Sequence, residues 1–324
     1  MNSLHPKCRL VYLDQFAASS IVDSKGAGVW GDIEGILRQG VIDGTLLCPI
    51  PAEHWMETAH RPLDTLVAQT SLFDSLSNGY HLLGAPFAAA KAMGARMRGG
   101  SMARYDYLEK VGRREVDQEI QQKLRVEREM LGVRLDPELK GANWIRSLAR
   151  PGFIANKWKP FSFNFAEMMA RKEFLDRLNT LIEEGGIVIR GAGFPEPDVP
   201  HWVDFLLDIL MRSHRMTRAE AVRLRDEVQQ VGFANIAPCH IRHTLVEHMA
   251  HKQKKETDGD HVDLLRMATA LPMAHLALVD GPRKQELMET GLARKYGCQV
   301  FSGRAADLVE FSAALRLQKV CASQ

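Results

Sequence analysis

The sequence predicts an α/β protein with a central, mostly parallel sheet and an inserted helical module. The first observation behind this prediction is an apolar strand pattern over Arg9–Leu13 that runs directly into Asp14. A short apolar run without polar alternation is typical of a strand buried on both faces. The second observation is that strand and helix patterns alternate near both ends of the chain, as they do in parallel sheets. The third is a middle region of long, charged helical patterns between residues 86 and 182.

The N-terminal part of the predicted core covers residues 8–85. Apolar residues at helical spacing predict a crossover helix over residues 30–38. The pattern of a second strand follows over Gly44–Ile50, and a proline directly after it favours a helix start. Because that helix carries Glu57, this part of the chain has the order strand, helix, strand, helix.

The C-terminal part of the predicted core covers residues 183–320 and repeats the alternation. Asp263 is expected to open a helix over residues 264–271, with its carboxylate at the start of that helix. The next pattern is an apolar strand over residues 275–280, which finishes on Asp280. The remaining predicted elements are a helix over residues 283–296, a strand over 298–302 and a helix over 307–317.

Residues 86–182 are interpreted as a helical insertion into this core. The formal net charge of the whole chain is only +2, yet the segment from Lys91 to Lys159 has 16 Lys and Arg against 9 Asp and Glu. A basic segment opposite acidic groups suits an enzyme that holds the phosphates of a nucleic acid. A solvated helix face would give the same surplus of positive charge.

Aromatic and basic residues interleave between positions 144 and 165 of this insertion. Such a mixture can stack bases and hold phosphates, although packing of the aromatic residues onto the core would explain it as well. We expect a nucleic-acid substrate to contact four basic side chains here, which are Arg146, Arg150, Lys157 and Lys159.

Composition is typical of a globular intracellular protein. Of the 324 residues, 45% are hydrophobic, which is ample for a packed core. The five cysteines are scattered and include no CxxC pair, so we expect reduced thiols and no zinc ribbon. The first residues lack the apolar core of a signal peptide, and no apolar run reaches the length of a membrane span. We therefore expect a cytoplasmic protein without a membrane partner.

Four carboxylates occupy equivalent places in the predicted sheet. Asp14 and Asp280 directly follow strands, Glu57 lies on the helix after the second strand, and Asp263 is placed at a helix start. In a parallel sheet these positions converge on one edge, although a turn or helix N-cap role would also explain Asp14. Crowded carboxylates repel one another unless cations neutralise them, and Mg²⁺ and Mn²⁺ prefer such oxygen ligands. The pattern therefore predicts a metal site that activates water for phosphodiester cleavage.

Three stretches of the chain resemble the PIN-domain nucleases. Val11–Asp14 is similar to the opening strand and first acid of that family. Cys48–Pro51, leading to Glu57, resembles its second strand and helix Glu. The run from Asp263 to Asp280 is similar to its third and fourth acids, in the expected order of helix and then strand.

This resemblance implies a PIN-like three-layer α/β/α fold and a metal-dependent endonuclease that cuts RNA more often than DNA. It implies catalytic and metal-binding roles, with Mg²⁺ or Mn²⁺, for the four acids named above. Gln15-Phe16 and Leu278-Val279 depart from the family pattern, which usually has small polar residues at these places, and they indicate a divergent branch. A large extra module suggests a regulated activity, for example that of a toxin or a phage-defence effector, by analogy of fold alone.

Other enzymatic and metal-binding interpretations have less support in the sequence. A haloacid-dehalogenase-like phosphatase needs a second Asp two positions after the first, where this chain has Phe16. Residues 26–28 form only a fragment of a dinucleotide-binding loop, without its third glycine. His243, Glu247 and His251 would share a helix face, but histidines on helix surfaces usually contact solvent rather than zinc.

A non-enzymatic interpretation also stands. In it, the α/β part is a catalytically silent scaffold, and the helical insertion binds a protein or nucleic-acid partner. A regulatory protein or a second copy of the chain would then be the expected partner. The four acids distinguish the two hypotheses, because a scaffold has no need to bring carboxylates together on one strand edge.

Overall fold

The structure of the protein, a computed structural model, describes residues 8–51, 54, 58, 60–112, 117–126, 165–184, 202–252 and 254–317. Its strands are β1 (Arg9–Leu13), β2 (Leu46–Leu47), β3 (Tyr80–Leu82), β4 (Leu108–Lys110), β5 (Leu276–Leu278) and β6 (Gln299–Phe301). Its helices are α1 (Gln15–Ser24), α2 (Gly28–Ile42), α3 (Leu63–Ser77), α4 (Ala85–Met97), α5 (Phe165–Glu184), α6 (Trp202–Arg212), α7 (Arg218–Val231), α8 (Ala237–His251), α9 (Asp258–Met273), α10 (Gly281–Glu289), α11 (Leu292–Lys295) and α12 (Ala305–Arg316). Residues 118–126 are also helical, and Arg104–Tyr107 form a 3-10 turn.

Four strands form a parallel sheet in the order β2-β1-β5-β6. The central strand, β1, pairs on both sides, with Arg9 opposite Leu46 on β2 and Val11 opposite Leu276 on β5. The prediction of a mixed α/β protein with a parallel sheet is therefore confirmed. The second strand is shorter than predicted, because the Cys48 amide donates to the Leu76 carbonyl and leaves the ladder.

An antiparallel pair, β3 and β4, extends this arrangement. A single parallel bridge joins Ile50 to His81 on β3, and the Leu82 amide donates to the Ile50 carbonyl over 2.8 Å. Leu82 and Tyr107 are buried in the same apolar cluster as Leu10 of β1. The two sheets therefore share one core.

Both faces of the parallel sheet are covered by helices. Leu10 and Tyr12 of β1 point into a cluster that includes residues of α8 and α9. The alternating residues Val11 and Leu13 point to the opposite face, where α1, α2, α3 and α12 pack. Burial on both faces explains why the β1 sequence is apolar throughout.

A further apolar cluster lies among helices alone. It joins residues of α4, α5, α6 and α7 with the segment 233–239. The predicted division into a core of residues 8–85 and 183–320 and an insertion of residues 86–182 stays a prediction, because residues 127–164 and 185–201 lie outside the described part. Within that part, helices on both sides of position 183 contribute to this one cluster.

The expectation that Asp263 opens a helix is wrong. Helix α9 begins at Asp258, because Thr257 and Asp260 form a reciprocal capping pair in which each accepts a hydrogen bond from the other's backbone amide. Asp263 therefore lies more than one turn inside the helix. The helix predicted over residues 283–296 is likewise divided into α10 and α11, at Gly291 with a φ of +72°.

Within the described ranges, no helix combines the length and the apolar character that a membrane crossing would require.

Candidate functional site

The carboxyl ends of β1 and β5 bring Asp14 and Asp280 to one edge of the sheet. The two strands are neighbours, and the Asp14 amide donates to the Leu278 carbonyl over 3.0 Å, so the ladder continues past the end of β1. Each acid also caps the helix that follows it. Asp14 Oδ1 accepts from the Gln15 amide at 2.8 Å, and Asp280 Oδ1 accepts from the Arg283 amide at 2.6 Å. The N-cap and edge interpretations of Asp14 therefore both hold.

Asp263 reaches the same edge from α9. One of its carboxylate oxygens, Oδ1, pairs with Nη2 of Arg266, one helical turn further along. The other oxygen, Oδ2, lies 3.6 Å from Nη2 of Arg283 on α10. Three of the four predicted acids are therefore neighbours, while Glu57 lies outside the described residues.

Arg266 is the residue that links two of these acids. Its Nη1 lies 3.3 Å from Asp14 Oδ1, while its Nη2 contacts Asp263. The Arg266 side chain is only 4% exposed, so this contact is made in the protein interior. We did not predict a site role for Arg266 from the sequence, although its position three residues after Asp263 places both side chains on one helix face.

Arg283 supplies a second positive charge, and it too was absent from the predicted site. Its side chain is 6% exposed, and its Nη1 pairs with Glu286 one turn later. The backbone amide of Arg283 donates a hydrogen bond to Asp280 Oδ1, the N-cap of α10. A signal was present, because Arg283 is in the first turn after Asp280 and its backbone is therefore close to the predicted edge.

The electrostatics of Asp14 distinguish it from ordinary surface acids. Burial raises the pKa of Asp14, and the negative charges of Asp263 and Asp280 raise it further. Arg266 and the Gln15 amide act in the opposite direction, yet the pKa of Asp14 stays above its usual value. The ionised carboxylate is therefore incompletely neutralised by its neighbours, and an added cation would stabilise it.

His54 lies close to this cluster and was also missed in the sequence. Its side chain is buried, with its ring centroid 4.4 Å from that of Phe73. Burial lowers the pKa of His54 to about 3, with further lowering by the positive charges of Arg266, Arg61 and His81. His54 is therefore neutral at ordinary pH and adds no charge to the site.

A further acid, Asp307, lies just after β6 at the start of α12. Asp307 accepts hydrogen bonds from the Ser302 amide at 2.9 Å and from Lys284 Nζ at 2.7 Å. Burial alone would raise the pKa of Asp307, but the bonds from Lys284 and Ser302 lower it below its usual value. Asp307 and Asp14 are both paired, but the pKa of Asp307 is lowered, whereas the pKa of Asp14 stays raised despite its contact with Arg266.

Carboxylate oxygens are the ligands that a hard divalent cation prefers. Among the described residues, no three His, Cys, Asp or Glu side chains are placed to hold a metal ion together. Mg²⁺, however, is usually held by only one or two protein carboxylates and keeps several waters. Asp14, with its raised pKa and two neighbouring acids, offers oxygen ligands of this kind. The Arg266 guanidinium is the group that already contacts two of them.

The remaining predicted residues are the four basic residues of the insertion and the histidines of the zinc hypothesis. Arg146, Arg150, Lys157 and Lys159 lie outside the described residues, so their role stays a prediction. His243, considered above as a zinc ligand, is buried in α8 and packs against Phe233 with ring centroids 5.2 Å apart. Burial lowers the pKa of His243 to about 3. His243 is a core residue and does not lie on a helix surface.

Comparisons of the chain with protein-family models, with curated proteins and with solved structures find no match.

Proposed function

We propose that the protein is a metal-dependent endonuclease that hydrolyses phosphodiester bonds, in RNA more than in DNA. The observation that carries this proposal is the meeting of Asp14, Asp263 and Asp280 at one sheet edge, where the Asp14 side chain is only 18% exposed and its pKa is raised. A carboxylate with a raised pKa at the carboxyl end of a parallel strand is more frequent at binding sites than at purely structural positions. Glu57 is proposed as the fourth acid of this site.

A PIN-like fold is part of this proposal. Its support is a parallel sheet with helices on both faces, in which Asp14 directly follows β1 and Asp280 lies two residues after the end of β5. The helix that carries Asp263 leads directly into β5, as in the resemblance described above. The proposal includes the three-layer α/β/α description, which the helices on both faces of the sheet support.

The chain's own residues have separate tasks in the proposed reaction. Asp14 and Asp263 would hold the cation, because the same Arg266 guanidinium contacts both carboxylates. Asp280 is exposed, so it can accept a hydrogen bond from the attacking water and orient it. When bound, Mg²⁺ or Mn²⁺ supplies Lewis-acid stabilisation of charge on the phosphate and a lowered pKa for a bound water. In net terms, water adds to phosphorus, the bond to the leaving oxygen breaks, and that oxygen gains a proton.

One observation favours the alternative of a catalytically silent scaffold. Arg266 and Arg283 lie among the acids and already supply two positive charges. A buried network of this kind can serve stability or specificity of folding without any ligand. In that case the cluster would bind no divalent cation, and a partner would bind through the predicted insertion.

Cleavage of labelled single-stranded RNA and DNA in Mn²⁺ tests the proposal. We expect the native chain to cut RNA faster than DNA, and excess chelator to stop cleavage. Asp280→Asn should reduce the cleavage rate by about 10²-fold or more. A carboxylate that accepts a proton from the attacking water typically accelerates the reaction by at least that factor. Asp208→Asn is the matched control, since Asp208 pairs with Arg212 on helix α6. Cleavage that survives both Asp280→Asn and chelator would refute the metal mechanism.

The predicted substrate contacts give a separate expectation. Replacing Arg146, Arg150, Lys157 and Lys159 together by Gln should weaken binding of single-stranded RNA and flatten its dependence on salt. If each contacts one phosphate, the slope of log affinity against log salt should fall by about 3. This is measured by fluorescence anisotropy across a series of salt concentrations.

The control for that measurement is a variant with four basic residues replaced by Gln on described helices, namely Arg38, Arg212, Arg218 and Arg225. We expect it to bind RNA with the native salt slope. An unchanged slope in the first variant would assign the insertion to protein contact or packing.

A further inference from the structure

We infer that Arg266 is a positioning residue that competes with the divalent cation for Asp14 and Asp263 and thereby sets the metal affinity of the site. This inference rests on the proposed function. It goes beyond it by assigning the control of metal affinity to a residue that is not a metal ligand.

The placement of Arg266 supports this role. The side chain extends from α9 into the interior, where it is 4% exposed. Its two terminal nitrogens contact different elements, with Nη1 3.3 Å from Asp14 Oδ1 at the end of β1 and Nη2 against Asp263 Oδ1 on the same helix. Arg266 therefore holds together two carboxylates that come from distant parts of the chain.

The charge of Arg266 makes it a competitor for a cation. A guanidinium keeps its positive charge at ordinary pH and donates hydrogen bonds to the carboxylate oxygens that a metal ion would use. A divalent cation that binds Asp14 and Asp263 must share these oxygens with Arg266 and withstand its repulsion. Removal of the guanidinium should therefore strengthen metal binding while leaving the empty site with repelling acids.

Arg283 does not have the same position. Its Nη1 pairs with Glu286, and it approaches only Asp263, at 3.6 Å. Of the two arginines, Arg266 is the one that contacts Asp14, the acid with a pKa raised by burial. The competition is therefore assigned to Arg266.

The test compares Arg266→Gln with the native chain in two measurements. The first is Mn²⁺ affinity, measured from the free-ion signal in electron paramagnetic resonance. The second is thermal unfolding with and without Mn²⁺. We expect Arg266→Gln to unfold at a lower temperature in chelator, yet to bind Mn²⁺ about 10-fold more tightly and to gain a larger rise in Tm from it. If Arg266 had only a structural role, the variant would unfold at a lower temperature but would bind Mn²⁺ with native affinity.

Arg177→Gln is the matched control. Arg177 on α5 pairs with the buried Asp204 on α6, with Nη1 2.5 Å from Oδ2, and neither residue belongs to the site. This variant should lose stability but bind Mn²⁺ with native affinity. If Arg266→Gln does not fold, Arg266→Lys replaces it, because an ammonium keeps the charge but cannot span two carboxylates as a guanidinium does. It should then show a smaller rise in affinity.

The outcomes separate this inference from the proposed function. Equal or weaker Mn²⁺ binding by the Arg266 variant would overturn the inference. The proposed metal site would still stand in that case if the native chain binds Mn²⁺ and Asp14→Asn abolishes this binding. Failure of both the native and variant chains to bind Mn²⁺ would overturn the inference and the proposed function together. The inference and the proposed function are both supported if Arg266→Gln binds Mn²⁺ more tightly and the double variant Asp14→Asn/Arg266→Gln loses this binding.

Discussion

Asp14→Asn should reduce Mn²⁺-dependent cleavage by on the order of 10³-fold, because it removes the proposed central metal ligand. The amide nearly matches the carboxylate in shape, and its oxygen can still accept the hydrogen bond from the Gln15 amide that starts α1. The loss of activity should therefore occur in a folded protein. Near-native cleavage by Asp14→Asn in Mn²⁺ would exclude Asp14 as a ligand.

The same substitution should make the metal-free protein more stable at neutral pH. The pKa of Asp14 is raised in the folded state, chiefly by burial, so its protonated form is favoured by folding. Its contribution to stability is fully present below the ordinary Asp pKa of about 3.9 and is lost as the pH rises through the higher folded value. Asn avoids this loss because it does not ionise.

Thermal unfolding in chelator between about pH 4 and pH 8 checks the sign of this effect. The Tm advantage of Asp14→Asn over the native chain should be largest at neutral pH and should shrink toward pH 4. Asp208→Asn should show no such trend. A native chain that is more stable than Asp14→Asn at neutral pH would mean that the ion pair with Arg266 outweighs the burial of Asp14.

Leu10→Ala should lower the free energy of unfolding by about 2–5 kcal/mol, the range for buried leucines in cores. Leu10 is 0% exposed in the middle of β1, where its side chain contributes to the cluster under α8 and α9. The substitution leaves the backbone bond from the Leu10 amide to His275 Nδ1 in place, so the loss comes from packing alone.

Urea denaturation measures this loss, with Leu317→Ala as the matched control. Leu317 is 69% exposed, and its truncation should change the free energy of unfolding by no more than about 0.5 kcal/mol. A loss below about 1 kcal/mol for Leu10→Ala would mean that neighbouring side chains collapse into the vacated space.

Local sequence patterns were sufficient to predict which acids lie at the carboxyl edge of the parallel sheet. The apolar run before Asp14 predicted a strand buried on both faces, and the structure places helices on both. Because Asp14 and Asp280 each end such a run, parallel pairing places both at the same edge, while the strand order of the sheet makes β1 and β5 neighbours. The depth of Asp263 in α9 was missed because the Thr257 and Asp260 capping signal was present but not used.

The sequence by itself determined that an α/β protein with a parallel sheet would carry acids at its strand ends, because burial imposes periodicity and strand direction fixes the edge. Only the tertiary structure decided which charges surround those acids. Arg266 contacts Asp14 across 252 positions of sequence, and His54 lies within the electrostatic reach of Arg266. Contacts of this kind depend on how α9 packs beside β1 and on where each side chain points. Neither can be predicted from a local pattern of residues.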